Sequence, residues 1–191
     1  MTNELSVGDR SVLLKIARRA IQSQLNGEET TEINLENYSP SLQQPGASFV
    51  TLTKKGLLRG CVGSIAATQA LVIDVRERAV GAAFHDHRFP TLTQSELSAV
   101  RIGISRLTSP RPLTYNSPDE LTRLLRPGID GVILSFQSRR ATFLPQVWKQ
   151  LTTPEVFLSR LCTKMGLEDS FWKTSKMGIE IYQAEKFQED P

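Results

Sequence analysis

The sequence LRGCVG, from Leu58 to Gly63, places a cysteine between two glycines and two residues after an arginine. A cysteine thiolate is both a nucleophile and a metal ligand, and a cation close to the sulfur lowers the pKa of the thiol. On a β-strand, Arg59 and Cys61 would share one face, where the guanidinium could favour the thiolate. The motif therefore leaves three roles open for Cys61: a reactive thiol, a metal ligand, or a small residue packed in a tight turn.

A second motif, HDHRF, holds the two histidines of the chain, His85 and His87. Together with Asp86 and Cys61 they would make four ligands of the types that zinc accepts. Their spacing matches no common zinc pattern, however, and Cys61 would have to arrive from a separate hairpin. A histidine next to the end of a helix also interacts favourably with the negative end of the helix dipole, which is the simpler role for His85. We therefore expect no metal site.

The same motif continues with Arg88, Phe89 and Pro90. An arginine beside an aromatic ring and a rigid proline can hold a carboxylate or a phosphate in a fixed geometry, or it can bond loop carbonyls. No Gly-rich sequence fits a phosphate cradle, because RGCVGS lacks both the P-loop lysine and the glycine spacing of a dinucleotide-binding turn. The sequence leaves both roles open for Arg88, and it predicts no bound cofactor.

The composition of the chain limits which binding partners and which cellular compartment are expected. The 191 residues include 23 Lys and Arg against 20 Asp and Glu, an excess too small to predict a nucleic-acid partner. No run approaches the ~20 apolar residues of a membrane span, and the start of the chain lacks the pattern of a secretory signal. We therefore expect a cytoplasmic protein without a membrane partner, in which Cys61 and Cys162 stay thiols. Cys162 lies on the apolar face of a predicted helix and is expected in the core.

The elements around the two motifs follow from the hydrophobic pattern. Residues 48–62 predict a β-hairpin whose three-residue loop is Lys54-Lys55-Gly56, which places Cys61 near the end of the second strand. A helix is predicted from Thr68 to Phe84, so the HDHRF motif begins just after its C-terminus. The apolar face of this helix is predicted to consist of Val72, Val75, Ala79, Ala82 and Ala83.

The remaining pattern predicts further helices and strands in mixed order. Residues 10–25 should form a helix capped by Asp9, with Leu13, Ala17, Ala20 and Ile21 inward, and residues 26–47 a long surface connection. The other predicted elements are a strand in AVRIGISRL, a helix over 118–125, strands in GVILSF and RATFL, a helix that opens at Thr153-Pro154 and ends at Gly166, and a last strand over 178–185. Strand pairs with short turns, and helices inserted among them, favour an α+β fold with a mostly antiparallel sheet flanked by helices.

The order of these motifs resembles the AMMECR family, also called AmmeMemoRadiSam system protein A. The resemblance rests on LLRGCVGS, AAFHDHRFP, ELSAVRIGISRLTSP, PGIDGVIL, ATFLPQVW and FLSRLCTKMGL, and it extends from about Arg10 to the last strand. It implies an α+β fold in two unequal lobes, with the cysteine motif facing a groove between them. We expect one AMMECR-type domain over residues 1–191, with a smaller hairpin-helix lobe around 45–95. Members of the family commonly have proline where this chain has His87, so a histidine ligand is not a family feature.

The resemblance also implies association with a Memo-type protein and a radical SAM enzyme, but it implies no particular reaction. We expect a groove that binds a small anionic or nucleobase-like ligand, with Cys61 as nucleophile or redox group and Arg59 lowering its pKa. The ligand-binding residues would be Gly60, Gly63, Asp86, Arg88 and Phe89. Two alternatives stay open: a non-catalytic adaptor that docks the Memo-type protein, and a factor associated with RNA modification. Whether the protein is an enzyme is therefore not decided by its sequence.

Overall fold

The computed structural model describes residues 4–28 and 32–190, which divide into two compact units. The first unit runs to Thr108 and takes in the residues from Glu185 onward, and the second is Ser109–Ala184. Both combine helices with antiparallel strands, so the expected α+β class is confirmed. Residues 45–95 lie inside the first unit, and a separate lobe there stays a prediction.

The elements are named in chain order. The helices are α1 (Val7–Leu25), α2 (Pro40–Gln43), α3 (Leu71–Phe84), α4 (Pro118–Leu124), α5 (Pro154–Lys164) and α6 (Phe171–Thr174), with 3-10 turns at Leu35–Asn37, Gln94–Glu96 and Pro145–Lys149. The strands are β1 (Pro45–Lys54), β2 (Leu57–Gly63), β3 (Gln69–Ala70), β4 (Val100–Leu107), β5 (Arg111–Pro112), β6 (Gly131–Phe136), β7 (Arg139–Phe143), β8 (Gly178–Tyr182) and β9 (Ala184–Gln188). The strand order is β2-β1-β4-β9 in the first unit, where β3 also pairs with β1, and β5-β8-β6-β7 in the second. The strand that carries Cys61, β2, is therefore at an edge of its sheet.

The β1–β2 hairpin turns through two residues instead of the predicted three. Lys54 pairs with Leu57 across the hairpin, and the intervening Lys55 and Gly56 both have positive φ, at 52° and 79°. Two consecutive positive φ angles are typical of a type I′ turn, whose twist matches that of the strands. The prediction of a left-handed glycine is confirmed, but Lys54 belongs to the strand.

The first helix, α1, begins three residues earlier than predicted, because its N-cap is Ser6 and not Asp9. The Ser6 Oγ accepts a hydrogen bond from the Asp9 backbone N–H at 3.0 Å. Asp9 instead lies in the first turn, where its carboxylate accepts a hydrogen bond from the Ser39 hydroxyl at 2.6 Å. Serine and aspartate are both good N-caps, so local preference alone could not rank them.

The region 26–47 is more structured than the predicted surface connection. It contains the 3-10 turn at Leu35–Asn37, helix α2 and the start of β1, whereas residues 29–31 lie outside the described residues. The Asn34 side chain accepts a hydrogen bond from the Glu36 backbone N–H at 3.0 Å and so caps the turn. Asn, Ser and Pro are frequent in loops as well as at helix starts, which is why the prediction was wrong here.

Two predicted elements are divided differently in the structure. The last predicted strand is two strands, of which β8 pairs with β6 in the second unit and β9 lies beside β4 in the first. Apolar alternation does not reveal a change of partner strand. The helix predicted from Thr68 begins at Leu71, because the preceding residues form β3 and pair with the start of β1.

Other predicted features of the second unit and of β4 are confirmed. Ser117 caps α4 by accepting a hydrogen bond from the Glu120 backbone N–H at 3.2 Å, and Gly166 follows α5 with a φ of 74°. Cys162 is fully buried, and burial raises the pKa of its thiol. The alternating apolar residues of β4, Val100, Ile102 and Ile104, are all in the core.

The close approach of α3 to β2 positions the cysteine motif. The predicted apolar face of α3 is buried, and its small residues allow the backbones to come near each other. A Cβ built at Gly60 would lie 2.1 Å from the carbonyl oxygen of Ala82, and one at Gly81 would lie 3.0 Å from Val62. Because β2 runs against the last turns of α3, the segment that follows the helix emerges beside Cys61.

A buried carboxylate fixes the first half of α3 to the hairpin. Asp74 is 2% exposed and accepts hydrogen bonds from the hydroxyls of Ser48 and Ser64 at 2.6 and 2.8 Å. The Nε of Arg78 lies 3.6 Å from the same carboxylate. These partners compensate for the loss of water around the charge, and α3 is thereby attached to the sheet near both of its ends.

We expect Gly60→Ala to destabilise the protein and Gly103→Ala to leave it close to wild type. The new methyl group at position 60 would overlap backbone of α3, which cannot rotate away, and overpacking of this kind costs about 1–3 kcal/mol. A Cβ at Gly103, in the same sheet, would have its nearest neighbour at 3.7 Å, an ordinary contact. Urea unfolding of the two variants measures the difference, and equal midpoints would contradict the tight packing of β2 on α3.

Candidate functional site

The edge of β2 is closed at Cys61 by the side chains of Asp86 and Arg88. The Asp86 Oδ2 accepts a hydrogen bond from the Cys61 backbone N–H at 2.8 Å, and the Arg88 Nη2 donates one to the Cys61 carbonyl at 3.2 Å. The two side chains also bind each other, with Arg88 Nη2 at 2.7 Å from Asp86 Oδ2 and Arg88 Nε at 2.9 Å from Oδ1. A carboxylate acceptor and a guanidinium donor thus occupy the positions at which another strand would bind Cys61.

The two members of this pair differ in exposure. The Asp86 side chain is 6% exposed, whereas that of Arg88 is 60% exposed. The hydrogen bond from Arg88 holds the pKa of Asp86 well below its ordinary value, against the opposing effect of burial, and Asp86 in turn raises the pKa of Arg88. The Arg88 guanidinium also lies 5.5 Å from the ring centre of Phe89, within the range of a cation–π contact. The pair is therefore charged at neutral pH and turns its cation toward solvent.

A second cluster surrounds Glu96, a residue that the sequence did not single out. Its carboxylate accepts hydrogen bonds from Arg59 Nε at 3.1 Å, from Arg59 Nη2 at 2.9 Å and from Lys54 Nζ at 2.8 Å. These contacts, with that of Arg59 foremost, hold the pKa of Glu96 well below its ordinary value. Glu96 also accepts a hydrogen bond from the Thr93 backbone N–H at 3.3 Å, in a capping box. The Thr-x-x-Glu spacing is the signal that could have drawn attention to it.

Arg59 keeps one nitrogen without a partner. Its Nη1 is buried, and the described part of the chain provides no hydrogen-bond acceptor for it. The side chain as a whole is 12% exposed. Because the two hydrogen bonds to Glu96 fix the plane of the guanidinium, they fix the direction of Nη1 as well. A buried N–H without a partner costs about 1–3 kcal/mol, which an acceptor at this position would remove.

The Cys61 sulfur contacts the hydroxyl of Thr51, with 3.2 Å between Sγ and Oγ1. Thr51 lies directly across from Cys61 on β1. Cys61 is half-buried and is a free thiol. Since Gly60 and Val62 face α3, the sulfur lies on the other face of the sheet. The pairing of β1 with β2 shifts register at Arg59, because Leu52 pairs with Gly60 and Thr53 with Leu58. Simple alternation therefore does not put the Arg59 side chain on the face of Cys61, contrary to the expectation from the sequence.

The two glycines of the motif have packing roles. A Cβ at Gly63 would lie 2.2 Å from the ring of Phe49, and Gly60 meets the backbone of α3. Both positions therefore require glycine for contacts inside the first unit. Their role in ligand binding stays a prediction.

The comparison with known proteins places the chain in a family. The AMMECR1 family model matches residues 14–187. The chain belongs to this family. A protein from Thermofilum pendens is 34% identical to it over 200 residues, which cover 97% of this chain and 92% of the relative. One from Methanothermobacter thermautotrophicus is 35% identical over 187 residues, which cover 97% of each chain.

A solved structure is also similar to this AMMECR1 domain. The crystal structure of an uncharacterised protein from Pyrococcus horikoshii has a TM-score of 0.85 and 29% sequence identity, and the match covers 97% of this chain and 94% of that one. These similarities establish the family and the fold and name no reaction. The function of the AMMECR1 domain has to be argued from its site.

The histidines of this AMMECR1 domain lie at the surface. His85 is the C-cap of α3, and both His85 and His87 are exposed. Within residues 4–28 and 32–190, no three or more His, Cys, Asp or Glu side chains gather in a group that could hold a metal ion. Over the same residues, no helix is long and apolar enough to cross a membrane.

The structure brings the predicted site residues together in an unexpected way. Asp86 and Arg88 meet Cys61, as the pairing of the two motifs suggests, but they bind its backbone and not its sulfur. Arg59 lies at the register shift of β2, two residues before Cys61, and its hydrogen bonds go to Glu96. Phe89 joins the site through its contact with Arg88.

We expect Asp86→Asn to lower the stability of this AMMECR1 domain by about 1.5–3 kcal/mol at pH 7, the range for hydrogen bonds that involve charged groups. The folded-state pKa of Asp86 lies below its ordinary value of 3.8. The stabilisation by the carboxylate is therefore present above about pH 4 and is lost as the pH falls through the folded-state pKa. The difference in unfolding free energy between wild type and variant should shrink from pH 6 to pH 3.

The matched control is Asp119→Asn, which changes an exposed carboxylate in α4. Urea unfolding at several pH values measures both variants. A difference for Asp86→Asn that is small at pH 7, or that grows as the pH falls, would contradict this account of the edge of β2.

Proposed function

We propose that the surface of β2 around Arg59 and Cys61 binds a small anionic ligand, with Cys61 as the nucleophile that reacts with it. The observation that carries the proposal is the buried Nη1 of Arg59, for which the described residues offer no acceptor. An oxygen of a carboxylate or phosphate would supply two features that this nitrogen lacks, an acceptor and an opposite charge. The ligand would then lie close to Cys61, which is two residues, or about 7 Å, further along β2.

The surroundings suit a binding site prepared in advance. Glu96 and Lys54 hold the Arg59 guanidinium in place, so that little side-chain freedom would be lost on binding. The clusters together contain three cations, Lys54, Arg59 and Arg88, against the carboxylates of Asp86 and Glu96. The local excess of positive charge attracts an anion.

The role of Cys61 follows from its exposure and its neighbour. A half-buried thiol on this surface is accessible to a bound ligand, and the Thr51 hydroxyl at 3.2 Å can donate a hydrogen bond to the thiolate. In the reaction, the thiolate sulfur forms a bond to an electrophilic carbon of the ligand. The leaving group departs with the electron pair of the broken bond, and the thiol proton has gone to solvent beforehand.

We expect the anionic reagent iodoacetate to alkylate Cys61 faster, relative to the neutral reagent iodoacetamide, in wild type than in Arg59→Gln. Positions i and i+2 of a strand are about 7 Å apart, where one unit charge in water-like surroundings changes a rate about threefold. Rates at pH 7 are followed by peptide mass spectrometry, which separates Cys61 from the buried Cys162.

Arg19→Gln is the matched control, because it removes the same charge from α1, and its rate ratio should equal that of wild type. High salt should reduce the wild-type preference for iodoacetate. If the ratio is unchanged in Arg59→Gln, or if Cys61 does not react in the folded protein, the proposed site is wrong.

A second candidate is an adaptor that docks the Memo-type protein, and one observation favours it. Leu57 and Leu58, at the start of β2, are 73% and 46% exposed. Lys55 in the adjoining turn is exposed as well. Large apolar side chains beside a cation at the tip of a hairpin suit a partner surface that is apolar with an acidic rim.

We expect Leu57→Ser together with Leu58→Ser to weaken binding of the purified Memo-type protein at least tenfold, because buried apolar anchors dominate the affinity of an interface. Cys61→Ser should leave the affinity unchanged if the protein is an adaptor. Isothermal titration calorimetry measures both. Equal affinity of the double variant and wild type would exclude the hairpin as the docking surface.

A further inference from the structure

We propose a second ligand site in the first unit, a cavity of about 240 Å³ between α1, residues 32–38 and α3, which binds a small organic carboxylate with an apolar body. The lining of this cavity includes neither Arg59 nor Cys61, and the site does not depend on the function proposed above. Arg19 is the residue that would bind the carboxylate.

The floor of the cavity is apolar. Ile16 and Ala20 of α1, Ile33 of the connecting segment and Val80 of α3 line it, and all four side chains are only half-buried. Ala20 belongs to the predicted inward face of α1, whereas Ala17 is fully buried. The apolar surfaces of α1 and α3 therefore part at this place and leave an opening that no described side chain fills. An apolar ligand body would bury this surface.

The rim of the cavity supplies polar groups. Arg19 is exposed, and in the described part of the chain it has no hydrogen bond or ion pair. The other arginines of α1 are held by carboxylates, Arg10 by Glu185 at 2.8 Å and Arg18 by Glu189. Arg19 thus differs from them in keeping its guanidinium available at the mouth of a cavity.

Further polar side chains lie around the cavity. Arg76 on α3 and Glu32 also line the rim. Tyr38 and Asn37 also line the cavity, and neither side chain has a hydrogen-bond partner among the residues of the described ranges. A carboxylate could accept two parallel hydrogen bonds from Arg19 and a further one from the Tyr38 hydroxyl or the Asn37 amide.

The size of the cavity limits the ligand. About 240 Å³ is below the roughly 300–1,000 Å³ of pockets for drug-sized molecules, so the ligand has on the order of ten non-hydrogen atoms. The apolar floor favours an aromatic or branched aliphatic body over a sugar. The planar fork of Arg19 favours a carboxylate at its end.

Phenylacetate, a carboxylate of this size, is the probe. We expect saturable binding with a Kd of about 1 mM, as is usual for ligands so small. Methyl signals of Ile16, Ile33 and Val80 in NMR spectra should shift with the same Kd. The neutral analogue phenylacetamide should bind at least tenfold more weakly, because it lacks the charge that pairs with Arg19.

Two variants of the cavity and one control complete the test. Arg19→Gln should weaken phenylacetate binding at least tenfold, and Ala20→Leu, which fills the floor, should abolish the methyl shifts. Arg59→Gln should bind as wild type, so failure here and failure of the proposed function are distinguishable. The proposal is overturned if phenylacetate causes no shift of these methyl signals up to about 20 mM, or if both cavity variants bind as wild type. Binding of inorganic phosphate but not of phenylacetate would equally overturn it.

Discussion

The bond between the Cys61 backbone and the Asp86–Arg88 pair is the constraint on which the site depends. An edge strand with free N–H and C=O groups is open to pairing with another chain, and a salt bridge across those groups blocks it. The same contacts attach the segment after α3 to β2, while Gly60 attaches β2 to α3 itself. Two motifs that are separated in sequence therefore form one structural unit around the backbone of Cys61.

Arg88 and Arg59 have different roles in this arrangement. Arg88 completes the hydrogen bonding of the main chain and is largely in solvent, where its charge has little effect on the packing. Arg59 is held from behind by Glu96, which leaves one nitrogen directed away from the salt bridge. Rigid support from a carboxylate is what distinguishes a guanidinium prepared for a ligand from one that is merely solvated. The thiol of Cys61 takes no part in the contacts of Asp86 and Arg88 with its backbone, and it lies two residues from the prepared guanidinium.

Elements determined by nearby residues could be predicted from the sequence, whereas contacts between residues far apart in the chain could not. Apolar spacing predicts β4 and the buried face of α3 correctly. The buried residues recur at every second position in the strand and at helical spacing in the helix, so the pattern identifies both elements. Ser6 and Asp9 are equally good caps, and β8 and β9 read as one strand, so local chemistry leaves both cases undecided. Glu96 pairs with an arginine 37 positions away, a contact that depends on how the strands are ordered. The half-buried state of Ala20 likewise depends on the divergence of two helices and not on the pattern of either one.

The order of the strands also affects how the chain folds during its synthesis. The sheet of the first unit ends with β9, which follows the other elements of the second unit in the chain. Residues of this last segment bind the start of the first unit: Glu185 in β9 accepts a hydrogen bond from the Leu5 backbone N–H at 3.1 Å, and Glu189, just after β9, binds Arg18. During synthesis, Leu5 and Arg18 have no partner until Glu185 and Glu189 have been added to the chain. The second unit, Ser109–Ala184, contains all the strands of its own sheet before that point. The nascent first unit is thus left with an incomplete sheet until β9 has been synthesised, a period in which the uncovered edge of β4 is open to incorrect pairing.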